Sequence, residues 1–259
     1  SCGCNFSSCI DYEYNLWTFG DIRSTLTRNM KTSNRKTKTK KWENIPPMIS
    51  VSCGNSHVLC LSEANEVWSF GSNQYGQLGV SVPIGSNIDS PTQISLSDIV
   101  NIVAGDFHSL FLSSSNRLFS CGFGKYGQLG IPENADNKFT PVEIPFSNFK
   151  IAQIGAGRLV SMLLTECGKV FTFGYNGSGK LGTLEIDRER VSSVPLQIEF
   201  GTDSSTEITK IFCRWDHCGC IDLEGNVWVF GYRMQNFLSS DKIQICPKKV
   251  EELKNVEVC

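Results

Sequence analysis

Apolar positions along this chain gather into short runs separated by polar and turn-forming residues. Ile99-Val100-Asn101-Ile102-Val103, Ser109-Leu110-Phe111-Leu112 and Arg117-Leu118-Phe119-Ser120 each have the length of a strand. No segment holds a long apolar period of 3.6 residues, so helices are not the main element. The runs recur. Cys53-Gly54-Asn55-Ser56-His57-Val58-Leu59-Cys60-Leu61, then Val67-Trp68-Ser69-Phe70-Gly71 and Gly76-Gln77-Leu78-Gly79, are repeated as Ala104-Gly105-Asp106-Phe107-His108-Ser109-Leu110-Phe111-Leu112, Leu118-Phe119-Ser120-Cys121-Gly122 and Gly127-Gln128-Leu129-Gly130. The glycine of the Phe-Gly or Cys-Gly pair falls at Gly20, Gly71, Gly122, Gly174 and Gly231, at steps of 51, 51, 52 and 57 residues. A fixed period on the order of 20–50 residues marks a solenoid, propeller or array. Three or four short strands per period are the content of a propeller blade. The pattern predicts an all-β chain, a β-propeller of about 51-residue blades. It forms one domain over 1–259, with units at about 1–48, 49–98, 99–150, 151–207 and 208–259.

Gly-x-x-His, aromatic-x-Phe-Gly and Gly-Gln-Leu-Gly at this spacing resemble the regulator of chromosome condensation repeat family, over nearly the whole chain. The copies at 49–98 and 99–150 match well. The copy at 151–207 has Val160 in place of His and Gly179-Lys180-Leu181-Gly182 in place of Gly-Gln-Leu-Gly. The first and last copies keep Trp17-Thr18-Phe19-Gly20 and Trp228-Val229-Phe230-Gly231 but lack Gly-Gln-Leu-Gly. Kelch and WD repeats fit less well: there is no Gly-Gly doublet, and Trp215-Asp216 lacks a period. The family usually closes a ring of seven blades, and five are visible. Either Val256-Glu257-Val258-Cys259 completes the first blade and closes a smaller ring, or these blades belong to a larger, seven-bladed one.

The formal net charge of −2 gives no bulk attraction to nucleic acid or to an acidic membrane surface. No stretch approaches the length that spans a bilayer, and no N-terminal leader pattern is visible. Together these point to a cytoplasmic or nuclear protein that does not engage a membrane. Twelve cysteines would suit a disulfide scaffold. Their phase argues for packing instead: Cys2, Cys53 and Cys213 share one repeat position, and Cys9, Cys60 and Cys220 another, where other copies carry Ala104 and Phe111. They read as reduced core residues.

All three histidines, His57, His108 and His217, fall at one phase. A residue required once per blade reads as structural, satisfying buried groups between neighbours. The recurring glycines Gly71, Gly122, Gly174 and Gly231 read as turn positions needing positive φ. The stretch Gly174-Tyr175-Asn176-Gly177-Ser178-Gly179-Lys180 matches Gly-x4-Gly-Lys but is followed by Leu181-Gly182 and no helical run, so it reads as the repeat rather than a phosphate loop. Cys213-Arg214-Trp215-Asp216-His217-Cys218-Gly219-Cys220 is dense in metal-type ligands but has no Cys-x-x-Cys pair, so packing is favoured over zinc. Arg28 to Lys41 carries seven cations and no acid, and reads as a mobile, solvated loop without strand pattern. Its functional alternative is an import signal or a nucleic-acid phosphate contact.

No constellation for covalent, acid–base or metal catalysis stands out, and neither enzyme chemistry nor a cofactor is expected. The reading is a protein-interaction scaffold that binds through the loop face carrying Asp106, Trp215 and Asp216. In the family, acidic and His residues near this phase help hold a small GTPase, and Asp106 and Asp216 are the corresponding acids. The resemblance also implies an alternative, guanine-nucleotide exchange on a Ran-like small GTPase. Exchange needs differential affinity rather than chemistry, and the loops after Gly20 and Gly231 are the candidates for a wedge.

Overall fold

Strands alternate with tight turns along the entire course of a computed structural model that describes residues 1–21, 39–82, 85–132, 136–177, 179–183, 191–201, 206–232 and 244–250. Among the described residues nineteen strands form five antiparallel sheets, each an up-and-down meander of consecutive strands. The first sheet holds β1 (Phe6–Ile10), β2 (Leu16–Gly20) and β3 (Thr39–Lys41). The second holds β4 (Met48–Cys53), β5 (His57–Ser62), β6 (Val67–Ser72) and β7 (Asn87–Gln93). The third holds β8 (Ile99–Ala104), β9 (His108–Ser113), β10 (Leu118–Gly122) and β11 (Lys138–Ile144). The fourth holds β12 (Ile151–Ala156), β13 (Val160–Thr165), β14 (Val170–Tyr175) and β15 (Val191–Ile198). The fifth holds β16 (Ile208–Arg214), β17 (His217–Asp222), β18 (Val227–Gly231) and β19 (Gln244–Lys249). Among the described residues no helix is long and apolar enough to cross a membrane.

The chain divides into two compact units, Ser1–Phe123 with Asn137–Glu143, and Gly124–Asp136 with Ile144–Cys259. In the first unit, the first sheet packs on the second around Phe6, Leu16, Trp42, Met48, Val58 and Phe70. The second packs on the third around Leu59, Leu61, Leu78, Ile99 and Phe111. In the second unit, Val160, Met162, Leu164, Ile211, Cys218, Cys220 and Phe230 join the fourth and fifth sheets. Strands β5, β9 and β13 are buried at every position. Covered on both faces, they need no polar alternation, and so their sequences read as unbroken apolar runs. Each fully buried Phe or Leu in these layers stabilises the fold by about 1.5–3 kcal/mol.

Two expectations are revised. Cys53, Cys60 and Cys220 are buried, but at the same phases Cys213 is half-buried and Cys2 and Cys9 are exposed. In its unit the first sheet packs on the second through one face only, which leaves Cys9 outside. The basic stretch falls largely outside the described residues, but its last residues are not a loop. Thr39–Lys41 pairs with β2, Thr39 against Phe19 and Lys41 against Trp17. Lys40 Nζ lies 3.4 Å from the centre of the Trp42 ring and Lys41 Nζ 5.8 Å from that of Trp17. These ammonium groups are drawn to aromatic faces, and the pairing turns a charged run into an edge strand. The C-terminal segment 251–259, with its expected closing strand, lies outside the described residues.

Candidate functional site

The fifth sheet aside, where Arg214 takes the glycine's place, one turn recurs just ahead of β1, β5, β9 and β13. It is closed by the glycine N–H donating to the carbonyl three residues on: Gly3 to Phe6, Gly54 to His57, Gly105 to His108 and Gly157 to Val160, each at 2.9 Å. Glycine is required because the side chain three residues on folds back over it. A Cβ on Gly54 would collide with the His57 ring, and one on Gly3 with the Phe6 ring. The residue after the glycine links neighbouring turns through the backbone alone. The Cys4 N–H donates to Asn55 O at 3.2 Å and the Asn55 N–H to Asp106 O at 3.3 Å. In the second unit the Arg158 N–H donates to Trp215 O at 2.8 Å. Cys4, Asn55, Asp106, Arg158 and Trp215 therefore occupy one repeat position. Asp216 occupies the next, with Ser56, Phe107 and Leu159. The structure thus separates Asp106 and Asp216, which the sequence reading took as corresponding acids.

The turns are held from the other side by the Phe-Gly element. Gly71, Gly122, Gly174 and Gly231 have φ of 109°, 108°, 119° and 110°. At Gly122 and Gly231 a Cβ would run into the carbonyls of Phe107 and Asp216. Those carbonyls accept the N–H of the residue after each glycine, Phe123 to Phe107 and Tyr232 to Asp216, both at 2.9 Å. A left-handed backbone without a side chain is what lets the third strand end on the turn.

His57 shows why the histidine recurs. Its Nε2 lies 3.0 Å from Ser109 Oγ, and Ser109 donates its hydroxyl hydrogen to Gln77 O at 2.6 Å. Because that hydrogen is used, Ser109 can only accept from His57, which fixes the ring as the Nε2–H tautomer. The chain of bonds ties the second sheet to the third within the first unit. Burial holds His57 and His108, both without solvent exposure, down to a pKa of about 3. His217 departs from the expected structural role. It pairs with Gly231 as His57 pairs with Gly71, yet it is exposed, because β16–β19 is the last sheet of its unit.

The proposed contact residues fare differently from one another. Trp215 is 53% exposed and sits at φ 54°, a left-handed conformation that is an outlier for a bulky side chain. Asp106 is half-buried. Asp216 is already committed: its Oδ1 accepts from Lys180 Nζ. Lys180 is 1% exposed and replaces Gln77 and Gln128, whose Oε1 atoms accept the N–H of Tyr75 at 2.9 Å and of Tyr126 at 3.0 Å. An ammonium cannot accept, so Lys180 reaches the next sheet's turn instead. This ion pair, and not a phosphate site, accounts for the Gly-x4-Gly-Lys match. Among the described residues no group of three His, Cys, Asp or Glu side chains is placed to hold a metal ion.

Sequence reading missed an aromatic cluster beside Asp106. Tyr75, Phe107 and Phe123 are half-buried, with ring centres 5.6 Å (Tyr75–Phe107), 4.8 Å (Tyr75–Phe123) and 6.5 Å (Phe107–Phe123) apart. The second unit carries a smaller counterpart, Tyr126 and Tyr175, at 5.1 Å. The available signal was positional: Tyr precedes Gly-Gln-Leu-Gly, and an aromatic residue follows the repeat glycine.

The model of the regulator of chromosome condensation (RCC1) repeat matches residues 65–112, 115–164 and 167–221, and a second model of the same repeat matches 48–77 and 99–128. The probable E3 ubiquitin-protein ligase HERC4 of Rattus norvegicus is 34% identical over 191 residues, 71% of this chain and 17% of the ligase. The serine/threonine-protein kinase Nek9 of Xenopus laevis is 28% identical over 201 residues, 70% of this chain and 21% of the kinase. The chain thus spans about a fifth of the length of these relatives. Among solved structures, Prp20p of Saccharomyces cerevisiae superposes with a TM-score of 0.83 at 18% identity, covering 97% of this chain and 62% of Prp20p. Human WBSCR16 does so with a TM-score of 0.78 at 22% identity, covering 96% and 65%. These likenesses identify the fold as that of the RCC1 β-propellers. With its turns, its left-handed glycines and its buried histidine explained by the same repeat that these models match, the chain belongs to the RCC1 repeat family.

Proposed function

We propose that this chain is a protein-interaction scaffold whose contacts are made by the turn residues of each unit. The observation that carries this reading is Trp215. A large aromatic side chain is held in solvent at the tip of a turn, in a backbone conformation that costs on the order of 1–3 kcal/mol. Such residues are the anchors of protein interfaces. In the first unit the half-buried cluster Tyr75, Phe107 and Phe123 beside Asp106 offers a second patch of the same kind. Asp216 acts here by fixing the Trp215 turn through Lys180 rather than by contacting a partner. The test is Trp215→Asn, since Asn tolerates the left-handed conformation. The variant is expected to keep the thermal stability of the parent and to lose at least one protein that the parent captures. Unchanged capture by Trp215→Asn and by a Tyr75→Ala/Phe107→Ala/Phe123→Ala triple variant would refute the reading.

Nucleotide exchange on a small GTPase is the second reading. It is favoured by the likeness in fold to Prp20p, a protein characterised for its binding to Gsp1p and histones, and it asks for no chemistry from the propeller. The loops after Gly20 and Gly231 expected to act as a wedge lie outside the described residues. Release of a fluorescent guanine nucleotide from a Ran-like GTPase, no faster with the folded chain than without it, would remove this reading.

A further inference from the structure

In the fifth sheet β16 and β17 meet at the Trp215–Asp216 turn. The first rung is Arg214 opposite His217, and the second is Cys213 opposite Cys218. The corresponding rungs elsewhere are Cys2–Ser7, Cys53–Val58, Ala104–Ser109 and Ala156–Ser161. Only the fifth sheet has cysteine on both sides. The exchange is not neutral. Ser109 and Ser161 each donate a hydroxyl hydrogen to the carbonyl of the preceding Gly-Gln-Leu-Gly loop, at 2.6 Å to Gln77 and 2.8 Å to Gln128. A thiol at this place is a much weaker donor. What the fifth sheet has instead is a pair of sulfurs: Cys213 Sγ and Cys218 Sγ are 2.9 Å apart.

We propose that Cys213 and Cys218 are a redox-active dithiol, which a low-molecular-weight disulfide of the glutathione class converts into a cross-strand disulfide. Opposite residues of an antiparallel pair have Cα atoms about 4.5–5.5 Å apart, inside the roughly 4.4–6.8 Å that a disulfide spans. The backbone therefore already has the required separation. The two thiols have distinct places in the step. Cys213 is half-buried and within reach of solvent, whereas Cys218 is fully buried. The Cys213 thiolate attacks one sulfur of oxidised glutathione. A mixed disulfide forms on Cys213 and one glutathione thiolate leaves, taking up a proton. Cys218 then loses its proton and attacks Cys213 Sγ, displacing the second glutathione. Two protein thiols and one glutathione disulfide become one protein disulfide and two glutathione thiols. Burial, followed by the neighbouring Cys213, pushes the Cys218 thiol well up, with the Lys180 ammonium working weakly against it. Cys218 is thus the resolving partner rather than the first nucleophile. Cys220 lies two residues further along β17, opposite Ile211, and takes no part. The oxidised rung would pin the turn that carries Trp215. The dithiol itself stands whether or not that turn docks a partner.

Trypsin separates the two cysteines at Arg214, giving fragments 211–214 and 215–233. The folded chain is treated with oxidised glutathione, its remaining thiols are alkylated, and the digest is read by mass spectrometry without reduction. The expected result is a linked 211–214/215–233 species in the monomeric protein. It should be lost on reduction and in Cys218→Ser, and retained in Cys220→Ser. Cys218→Ser should instead accumulate a single glutathionyl group on fragment 211–214. If Cys218→Ser does not fold, Cys213→Ser replaces it: the link is expected to vanish, with no glutathionyl group on fragment 215–233. Full alkylation of both fragments in the oxidised parent, a link that survives in Cys218→Ser, or a mixed disulfide on Cys213 that the parent never resolves would each overturn the proposal.

Discussion

Acidification from about pH 7 to pH 5 is expected to destabilise the first unit through His57 and His108. Both rings are fully buried, and burial holds each folded-state pKa at about 3 against 6.5 for the free side chain. In the unfolded chain both histidines take up a proton as the pH drops below 6.5, while in the folded chain neither does until about pH 3. A depressed pKa contributes stability that is whole above the unfolded value and is lost as the pH falls towards the folded one. Between these limits each ring costs about 1.4 kcal/mol per pH unit. At pH 5 the loss is about 2 kcal/mol per histidine, or about 4 kcal/mol for the pair. That is a large part of a typical domain stability of about 5–15 kcal/mol. The assay is urea unfolding at a series of pH values between 6.5 and 5, for the parent and for His57→Gln. Gln retains an N–H for Ser109 but cannot titrate. The variant is expected to be less stable at neutral pH and to show a shallower dependence, about 1.4 instead of about 2.8 kcal/mol per pH unit. Equal slopes in the two proteins would refute the argument that His57 is held neutral by burial.

Two further outcomes follow from the same geometry. Gly122→Ala forces a side chain into a left-handed backbone at φ 108° and against the Phe107 carbonyl, and is expected to cost about 1–3 kcal/mol or more in urea unfolding; a loss below about 0.5 kcal/mol would mean that glycine is not required there. Replacing Lys180 by Gln and Asp216 by Leu restores the residues found at the equivalent places where the third sheet's loop meets the fourth sheet's turn, Gln128 and Leu159. The double variant is expected to lose less stability than the two single changes added together, with a coupling of about 0.5–3 kcal/mol in a double-mutant cycle, and additive effects would show that the ion pair does not hold the turn.

Much of the fold could be read from the sequence because the repeat imposes one constraint per sheet. Gly-x-x-His, Phe-Gly and the unbroken apolar second strand each have a cause that recurs, and recurrence is visible without coordinates. What escaped were contacts made by departures from the repeat. Lys180 and Asp216 are 36 residues apart, and each looks like an isolated substitution until the turn of β16 and β17 is set against the loop after β14. The match to a phosphate loop arose from this same lysine. Tyr75, Phe107 and Phe123 come from three different elements, so no window of sequence shows them as a cluster. Lys40 and Lys41 looked solvated because a charged edge strand has no apolar alternation, and only its pairing to β2 reveals it. His217 kept its phase but lost its burial, since phase does not record which sheet is the last of its unit.

The link between neighbouring turns is written entirely in peptide groups. Within each unit the donor is a main-chain N–H and the acceptor a main-chain carbonyl, at a position filled by Cys4, Asn55, Asp106, Arg158 and Trp215. A thiol, an amide, an acid, a base and an indole are thus interchangeable there as far as the link is concerned. The scaffold and its vocabulary can drift independently. Mutation at this one column can rewrite what a blade displays without renegotiating how the blades adhere, so an array of this kind can acquire a new binding repertoire at little risk to folding.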